Sequence, residues 1–366
     1  MKILHTEASA GWGGQELRIL AEMQGLRSRG HTLELAAPRA ARIHQEAAAL
    51  GFRVHDLPIA RKNLRGVIAL RGLLREGGYD LVNTHSSTDS WLAAVANTLS
   101  PHRVPLVRTR HISAPVPRNA ATRWLYNRAS AAIVTTGEKL RQELVDVNGF
   151  RDVPIRSVPT GIDPQRFQPA DAAAARAELG LAPVFTVGIL ATLRSWKGHR
   201  YLVDAIGQLR AQGRTVQLLI VGDGPQREAL EDQVANEGLQ DAVRFAGHDP
   251  QPERWLRAMD LFVLPSYANE GVPQALMQAM MSGLPAITTA VGAIGEVARD
   301  GETAIVVSPQ DTAALVAAIA RLMDDPAERA RLGRAARDFA LARCTLAAMC
   351  DAMEEVFRSV LPPAKA

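Results

Sequence analysis

Arg194 and Lys197 stand close together in the run Gly188–Gly198 (GILATLRSWKG), just past an apolar stretch that reads as a β-strand. Cations at the carboxyl end of a strand lie where open α/β sheets bind ligands. There they would neutralise a diphosphate and stabilise it as negative charge builds up on it as a leaving group. The same two side chains also suit a solvated surface, so the loop alone decides nothing. Trp12-Gly13-Gly14-Gln15 follows the first strand-like run and opens a helix. Its glycines let backbone approach a ligand, and a helix N-terminus offers N–H groups and a positive dipole end to a phosphate. It falls short of a full G-x-G-x-x-G, and glycine is common in any first βα turn. His111, in Arg108-Thr-Arg-His111, ends another strand-like run. An imidazole there can hydrogen-bond a hydroxyl or trade protons near neutral pH. Glu270 and Gln278 belong to Asn269–Ala279 (NEGVPQALMQA), a loop entering a helix that can present a carboxylate and backbone N–H groups. A Glu before a helix is equally a good capping charge. Gly222-Asp-Gly-Pro225 reads as a tight turn with a structural role.

The elements that must position these residues alternate along the whole chain. Short apolar runs at 2–6, 32–37, 52–57, 80–84, 105–109 and 131–135 are separated by stretches of helical spacing such as Gln15–Arg29 and Glu138–Asn148. Buried parallel strands read as such runs, with crossover helices between them. The alternation restarts after Val158-Pro-Thr-Gly-Ile-Asp163, with strands expected at 184–191, 217–221, 243–246, 261–264, 285–288 and 304–307. A restart implies a second sheet rather than one very wide one. Pro154, Pro159, Pro164 and Pro169 punctuate the join and suit a linker. The spacing of Leu346, Met349, Met353, Val356 and Phe357 predicts a terminal amphipathic helix over 346–360. The expected domains are therefore 1–165 and 166–345, with the helix 346–361 packing back on the first.

Composition fits this α/β reading. The 366 residues are 47% hydrophobic and 22% charged, enough for two buried cores. Cys344 and Cys350 fit no metal-ligand spacing and read as buried thiols. No signal peptide opens the chain, and no run of eighteen apolar residues crosses a membrane. Residues 1–165 carry 22 Lys and Arg against 14 Asp and Glu, whereas the net charge of the whole chain is only +4. A basic first half suits an anionic partner as well as a merely solvated, Arg-rich surface. Aromatic residues are only 5% and no nucleic-acid-binding motif is present, which argues against RNA or DNA.

Taken as an ordered set, these segments resemble the family 4 glycosyltransferases, retaining enzymes of GT-B fold. The resemblance spans nearly the whole chain and is strongest from Val158 to Val307. It is carried by VPTGID at 158–163, Lys197-Gly198, LLIVGDGPQREAL at 218–230, RFAGH at 244–248, DLFVLPSYANEGVPQALMQAMMSGLPAI at 260–287 and EVARDGETAIVV at 296–307. It implies two Rossmann-like, doubly wound domains facing across a cleft. Gly13 and Gly14 match the glycine loop that meets the donor phosphates, and His111 the histidine that contacts the transferred sugar. Lys197 matches the diphosphate-binding lysine, with Arg194 its helper. Glu270 matches the first glutamate of a Glu-x7-Glu motif on the donor sugar, and the backbone of Gly271, Val272 and Pro273 meets sugar and phosphate. The nucleotide base is expected near Gly247 and His248. Two positions depart from the family: the second glutamate is Gln278, which has no charge for the ribose, and Thr192 stands where an arginine is frequent.

The reaction the resemblance implies is transfer from a nucleotide-diphosphate sugar with retention of configuration. The nucleotide sugar is a co-substrate and no separate cofactor is expected. No metal is expected either, because no Asp-x-Asp-type cluster stands in a suitable loop. The acceptor is expected to be a glycan or lipid-linked molecule of the bacterial cell envelope, such as lipopolysaccharide, with the enzyme cytoplasmic and peripheral on the inner face of the inner membrane. Arg118–Arg128 (RNAATRWLYNR), after the proline-rich Ser113–Pro117 turn, mixes arginines with Trp124, Leu125 and Tyr126 as interfacial helices do. Ordinary packing of those aromatics is the other reading. The competing functions are a GT-B-like enzyme acting on a small soluble acceptor or sugar phosphate, and a non-catalytic glycan-binding relative.

Overall fold

The computed structural model describes residues 1–111 and 115–362. Ser113 and Ala114, of the expected proline-rich turn, lie outside the described residues. The chain forms two compact units, one of Met1–Gly161 with the segment from Leu346 on, the other Ile162–Thr345.

The first unit is built on seven parallel strands: β1 (Lys2–Thr6), β2 (Thr32–Ala37), β3 (Arg53–Asp56), β4 (Leu81–Thr84), β5 (Leu106–Arg110), β6 (Ala132–Thr135) and β7 (Ile155–Ser157). Their order is β3-β2-β1-β4-β5-β6-β7. The chain winds outward from β1 to β3, returns to β4 on the other side of β1, and winds out again. That reversal is the topological switch point, where a crevice opens at the carboxyl ends of β1 and β4. β1, β4, β5 and β6 are buried along nearly their whole length because helices cover both faces.

β7 was not expected, since three residues between Pro154 and Pro159 carry no periodicity. Proline is tolerated at the start of an edge strand, and the Pro154 carbonyl accepts from the Ile133 amide at 2.9 Å. The helix expected over 138–148 is a single turn, Glu138–Gln142, followed by a wider π-turn, Glu143–Val147.

The helix Leu346–Val360 belongs to this unit and packs on the helix Gly14–Ser28. Met349, Met353, Val356 and Phe357 are buried in the core shared with Ile19, Met23 and Leu26. Gly25 allows the close approach: a Cβ there would stand 2.4 Å from the Cys350 sulfur. At its rim the Asp351 carboxylate accepts from Arg29 at 2.6 Å, and Glu354 Oε1 pairs with His31 Nε2 at 2.9 Å.

The second unit has six parallel strands: β8 (Phe185–Leu190), β9 (Val216–Val221), β10 (Val243–Gly247), β11 (Leu261–Leu264), β12 (Ala286–Thr289) and β13 (Ile305–Val307). The order β10-β9-β8-β11-β12-β13 places a second switch point between β8 and β11. One core cluster runs through the unit, from Val187 and Ile189 on β8 to Phe262 and Val263 on β11 and the helices that cover them. Both units are thus Rossmann-like and doubly wound. Among the described residues no helix is long and apolar enough to cross a membrane.

Candidate active site

In the second unit, Lys197 follows β8 and Glu270 follows β11, so the two lie on either side of the switch point. Lys197 closes a short 3-10 turn, Ser195–Lys197, and Gly198 then enters the helix His199–Ala211 in the left-handed conformation at φ 78°. A Cβ on Gly198 would stand 2.2 Å from the Pro265 carbonyl oxygen, so only glycine lets this loop seat against the chain leaving β11. The Tyr267 amide donates to the Trp196 carbonyl at 2.8 Å and ties the same two loops. Lys197 Nζ consequently reaches Glu270 Oε1 at 2.6 Å, and Ser266 Oγ donates to the same oxygen at 2.6 Å. Glu270 is buried and Lys197 is four-fifths covered, so this is a charge pair largely withdrawn from water.

Around the pair, Gly292 at φ 63° lies under Glu270, where a Cβ would meet the Glu270 carbonyl oxygen at 1.9 Å. The Gly222–Gly224 turn packs on the backbone of Ala191 and Leu193, with Leu193 N donating to Asp223 O at 3.0 Å. Arg194 is exposed, with its guanidinium 5.7 Å from the Trp196 ring centroid. No carboxylate pairs with it among the described residues. Gly271 and Val272 are half-buried, and Pro273 caps the helix Gln274–Met281, on whose second turn Gln278 is half-buried. Gly247 ends β10 at φ 74°, and its carbonyl accepts from the Gly222 amide at 2.8 Å, with His248 exposed beyond it. These two therefore follow the edge strand, while the charge pair follows central ones.

In the first unit the glycine loop follows β1. Gly13 is the extended N-cap of the helix Gly14–Ser28. Glu16, in the first turn of this helix, is buried, and burial pushes its carboxyl above the ordinary range. Glu7, at the end of β1, is fully buried and accepts from the Ser9 amide at 2.7 Å and from Gln15 Nε2. Burial, reinforced by the nearby Asp89 charge, pushes the Glu7 carboxyl up to about 8, so it is mostly protonated at neutral pH.

His111, half-buried past β5, is the outer member of a row that sequence reading missed. His111 Nε2 lies 3.0 Å from His85 Nδ1, and His85 Nε2 lies 2.9 Å from His5 Nδ1. His5 is the penultimate residue of β1 and His85 follows β4, the two strands of the switch point. The signal was available: both are histidines at the carboxyl end of a strand, the rule that singled out His111. His199, beside Lys197, was also missed. It is buried with neither ring nitrogen partnered among the described residues, and burial pushes it down to about 3.

Arg118–Arg128 packs its aromatics into the unit, the second of the two readings the sequence offered. Leu125 and Tyr126 are buried, Tyr126 stacks on Phe150 at 4.4 Å and Trp124 on Trp91 at 5.8 Å. The large apolar side chains pack into the unit, while Arg118, Arg123 and Arg128 are exposed along with Asn119, Ala120 and Ala121.

Comparison with known proteins agrees with this geometry. Two family models match, "Glycosyltransferase Family 4" over residues 12–166 and "Glycosyl transferases group 1" over residues 184–325, and together they span most of the chain. The chain belongs to the family 4 glycosyltransferases. The D-inositol 3-phosphate glycosyltransferase of Nocardia farcinica is 35% identical over 70% of this chain and 61% of that protein. The lipopolysaccharide core biosynthesis mannosyltransferase LpsB of Rhizobium meliloti is 32% identical over 60% of this chain and 64% of that protein. The chain thus spans under two thirds of the length of either relative. The crystal structure of HepE from Anabaena in complex with UDP matches with a TM-score of 0.86, 22% identity, and coverage of 98% of this chain and 100% of that one. At that identity the likeness speaks to the fold, which is GT-B. In this glycosyltransferase, the positions matching the family's lysine and glutamate are the pair that meets at the second switch point.

Proposed function

We propose that this glycosyltransferase transfers a sugar from a nucleotide-diphosphate sugar to a cell-envelope glycan or lipid-linked acceptor, with retention of configuration and without a metal. The observation that carries the reading is the Lys197–Glu270 pair. An ammonium has three N–H donors. One is spent on Glu270, and the other two remain for phosphate oxygens. Arg194, which has no carboxylate partner among the described residues, brings a second cation. Together they supply the charge stabilisation of a departing diphosphate that a divalent ion supplies elsewhere. Glu270 gives one oxygen to Lys197 and Ser266 and keeps the other for a sugar hydroxyl. The backbone from Gly271 to Pro273 meets the sugar and phosphate, Gln278 the ribose by hydrogen bonding alone, and Gly247 and His248 the base. Gly13 and Gly14 add backbone donors to the phosphates, and His111 holds the transferred sugar.

Without a covalent intermediate, the acceptor attacks the face that the diphosphate leaves. The leaving phosphate takes the acceptor's proton, so configuration is retained. The envelope acceptor is supported by likeness to the lipopolysaccharide mannosyltransferase. A small polyol phosphate acceptor is the second reading, favoured by the relative named for inositol 3-phosphate. Binding of anionic membranes would rest on Arg118, Arg123 and Arg128 and would be purely electrostatic. Cosedimentation with anionic vesicles is then lost in high salt, and persistence at high salt contradicts it.

The test is turnover of a panel of nucleotide sugars with envelope-glycan and polyol phosphate acceptors in EDTA, with the product's anomeric configuration read by NMR. An α-linked donor must give an α-linked product. An inverted product, or strict dependence on an added divalent ion, refutes the mechanism.

A further inference from the structure

We propose that His5 and His85 are positioning residues that fix the tautomer of His111, so that it presents an Nδ1–H donor to the transferred sugar. The inference deepens the role given to His111 above and rests on that reading.

The three rings stand in a row at the switch point of the first sheet. Centroids are 5.1 Å apart between His5 and His85 and 5.2 Å between His85 and His111, with interplanar angles of 11° and 36°. Their backbone is pinned: His5 is in register with Asn83 across β1 and β4, and the His85 amide donates to Asp89 Oδ2 at 2.9 Å. Thr6 Oγ1 donates to the same oxygen at 2.6 Å. The rings are therefore held by two strands and not by one another alone.

A neutral imidazole has one N–H and one bare nitrogen. Each contact in the row is nitrogen to nitrogen, so each needs one donor and one acceptor. Proton positions are thereby correlated, and neutral rings have only two arrangements. In the inward one, His111 Nε2–H donates to His85, His85 Nε2–H donates to His5, and His5 Nε2–H points into the core. That nitrogen is buried and has no partner among the described residues. In the outward one, His5 Nδ1–H donates to His85 Nε2, His85 Nδ1–H donates to His111 Nε2, and the inner end is a bare lone pair. A buried N–H without an acceptor is the rarer fault, so the outward arrangement wins. It leaves His111 Nδ1–H at the half-exposed end of the row.

A doubly protonated His111 would need His85 Nδ1 as acceptor and would force the inward arrangement. Burial and the positive charge of Arg18 also push His85 and His111 well below the usual imidazole range. His111 is then a donor of fixed geometry and exchanges no proton. A free imidazole in water favours the opposite tautomer, so the row makes a difference that chemistry can read. The nitrogen that His111 aims outward is set by the bond its other nitrogen makes.

The direct test is long-range proton–nitrogen correlation NMR on the full chain carrying nitrogen-15 histidine, with signals assigned by substitution. A protonated Nδ1 and a bare Nε2 on His111 are expected, and an Nε2–H tautomer overturns the proposal. This measurement needs no substrate. Two variants give a second readout. His85→Phe keeps a stacked ring and removes both nitrogens, whereas His85→Asn places an amide donor near the Nδ1 position. His85→Phe should lower kcat about tenfold, the scale of one hydrogen bond, while KM for the donor stays unchanged. His85→Asn should recover most of that loss together with the His111 Nδ1–H signal. Wild-type activity in a folded His85→Phe protein overturns the proposal, as does an equal loss in both variants. Failure of the wild-type chain to bind any nucleoside diphosphate would instead count against the proposed function and leave the tautomer result standing.

Discussion

Lys197 is poised because its partners are few and close. It is held by Glu270, which Ser266 also holds, and both loops owe their approach to glycines that no other residue replaces. Gly198→Ala places a methyl 2.2 Å from the Pro265 carbonyl oxygen at φ 78°, so the loop must move. We expect a loss of roughly 1–3 kcal/mol of stability in the second unit and a larger fractional loss of donor binding. Thermal unfolding and nucleotide titration on the same sample check this, and an unaltered variant would show that the loop does not hold Lys197. The sequence made Lys197, Arg194, Glu270 and His111 legible because each follows a strand-like run. It did not reveal Ser266, which is an ordinary serine until the turn after β11 brings it onto Glu270 Oε1. His5 and His85 each stand at the end of a strand-like run, as His111 does, but their contact was hidden. They are eighty positions apart and meet only through strand order, and Glu7 and Asp89 lie near one another by the same route.

At the scale of elements, the parallel strands were readable because burial on both faces makes them short apolar runs. β11 (Leu261–Leu264) and the terminal helix Leu346–Val360 have the bounds read from the sequence, since their apolar patterns end abruptly. β7 was not readable, because an edge strand of three residues is defined by its neighbour's hydrogen bonds and not by its own pattern. The segment 118–128 was left open for a related reason. Arginines mixed with aromatics look alike whether the aromatics face a membrane or a core, and only the partners Phe150 and Trp91 distinguish the two. The terminal helix yields a quantitative expectation. Phe357 is fully buried against the first unit's core, so Phe357→Ala should cost about 3–5 kcal/mol. Denaturant unfolding of the first unit checks it, and a cost below 1 kcal/mol would mean the helix is only loosely docked.

For the whole molecule, the buried titratable groups set the response to pH. His5 and His199 titrate near 3 when folded, and His85 and His111 lie well below their usual range, all through burial. Below about pH 6.5 the unfolded chain takes up protons that these folded rings refuse, so acid destabilises the native state. Glu7 and Glu22 act oppositely, because burial raises them to about 8 and about 7, and Asp89 is raised as well. Between the ordinary carboxyl range and those values the folded state holds protons that the unfolded state releases, so stability falls as pH rises. The two trends cross near pH 6.5. Below about pH 4.5 the unfolded carboxyls are protonated too and the histidines act unopposed, so the fall steepens towards about 1.4 kcal/mol per pH unit for each ring. Denaturation midpoints across pH 3–9 should show a maximum near 6–7, and a flat profile would contradict the neutral, buried state of these groups. The central claim is that Lys197 holds a nucleotide diphosphate without a metal. A thermal-shift screen with UDP, GDP, ADP and CMP in EDTA, repeated on Lys197→Ala, tests it most directly. At least one nucleoside diphosphate should raise the unfolding temperature of the wild type, and the variant should lose most of that shift. No stabilisation by any diphosphate, or an equal shift in Lys197→Ala, would contradict it.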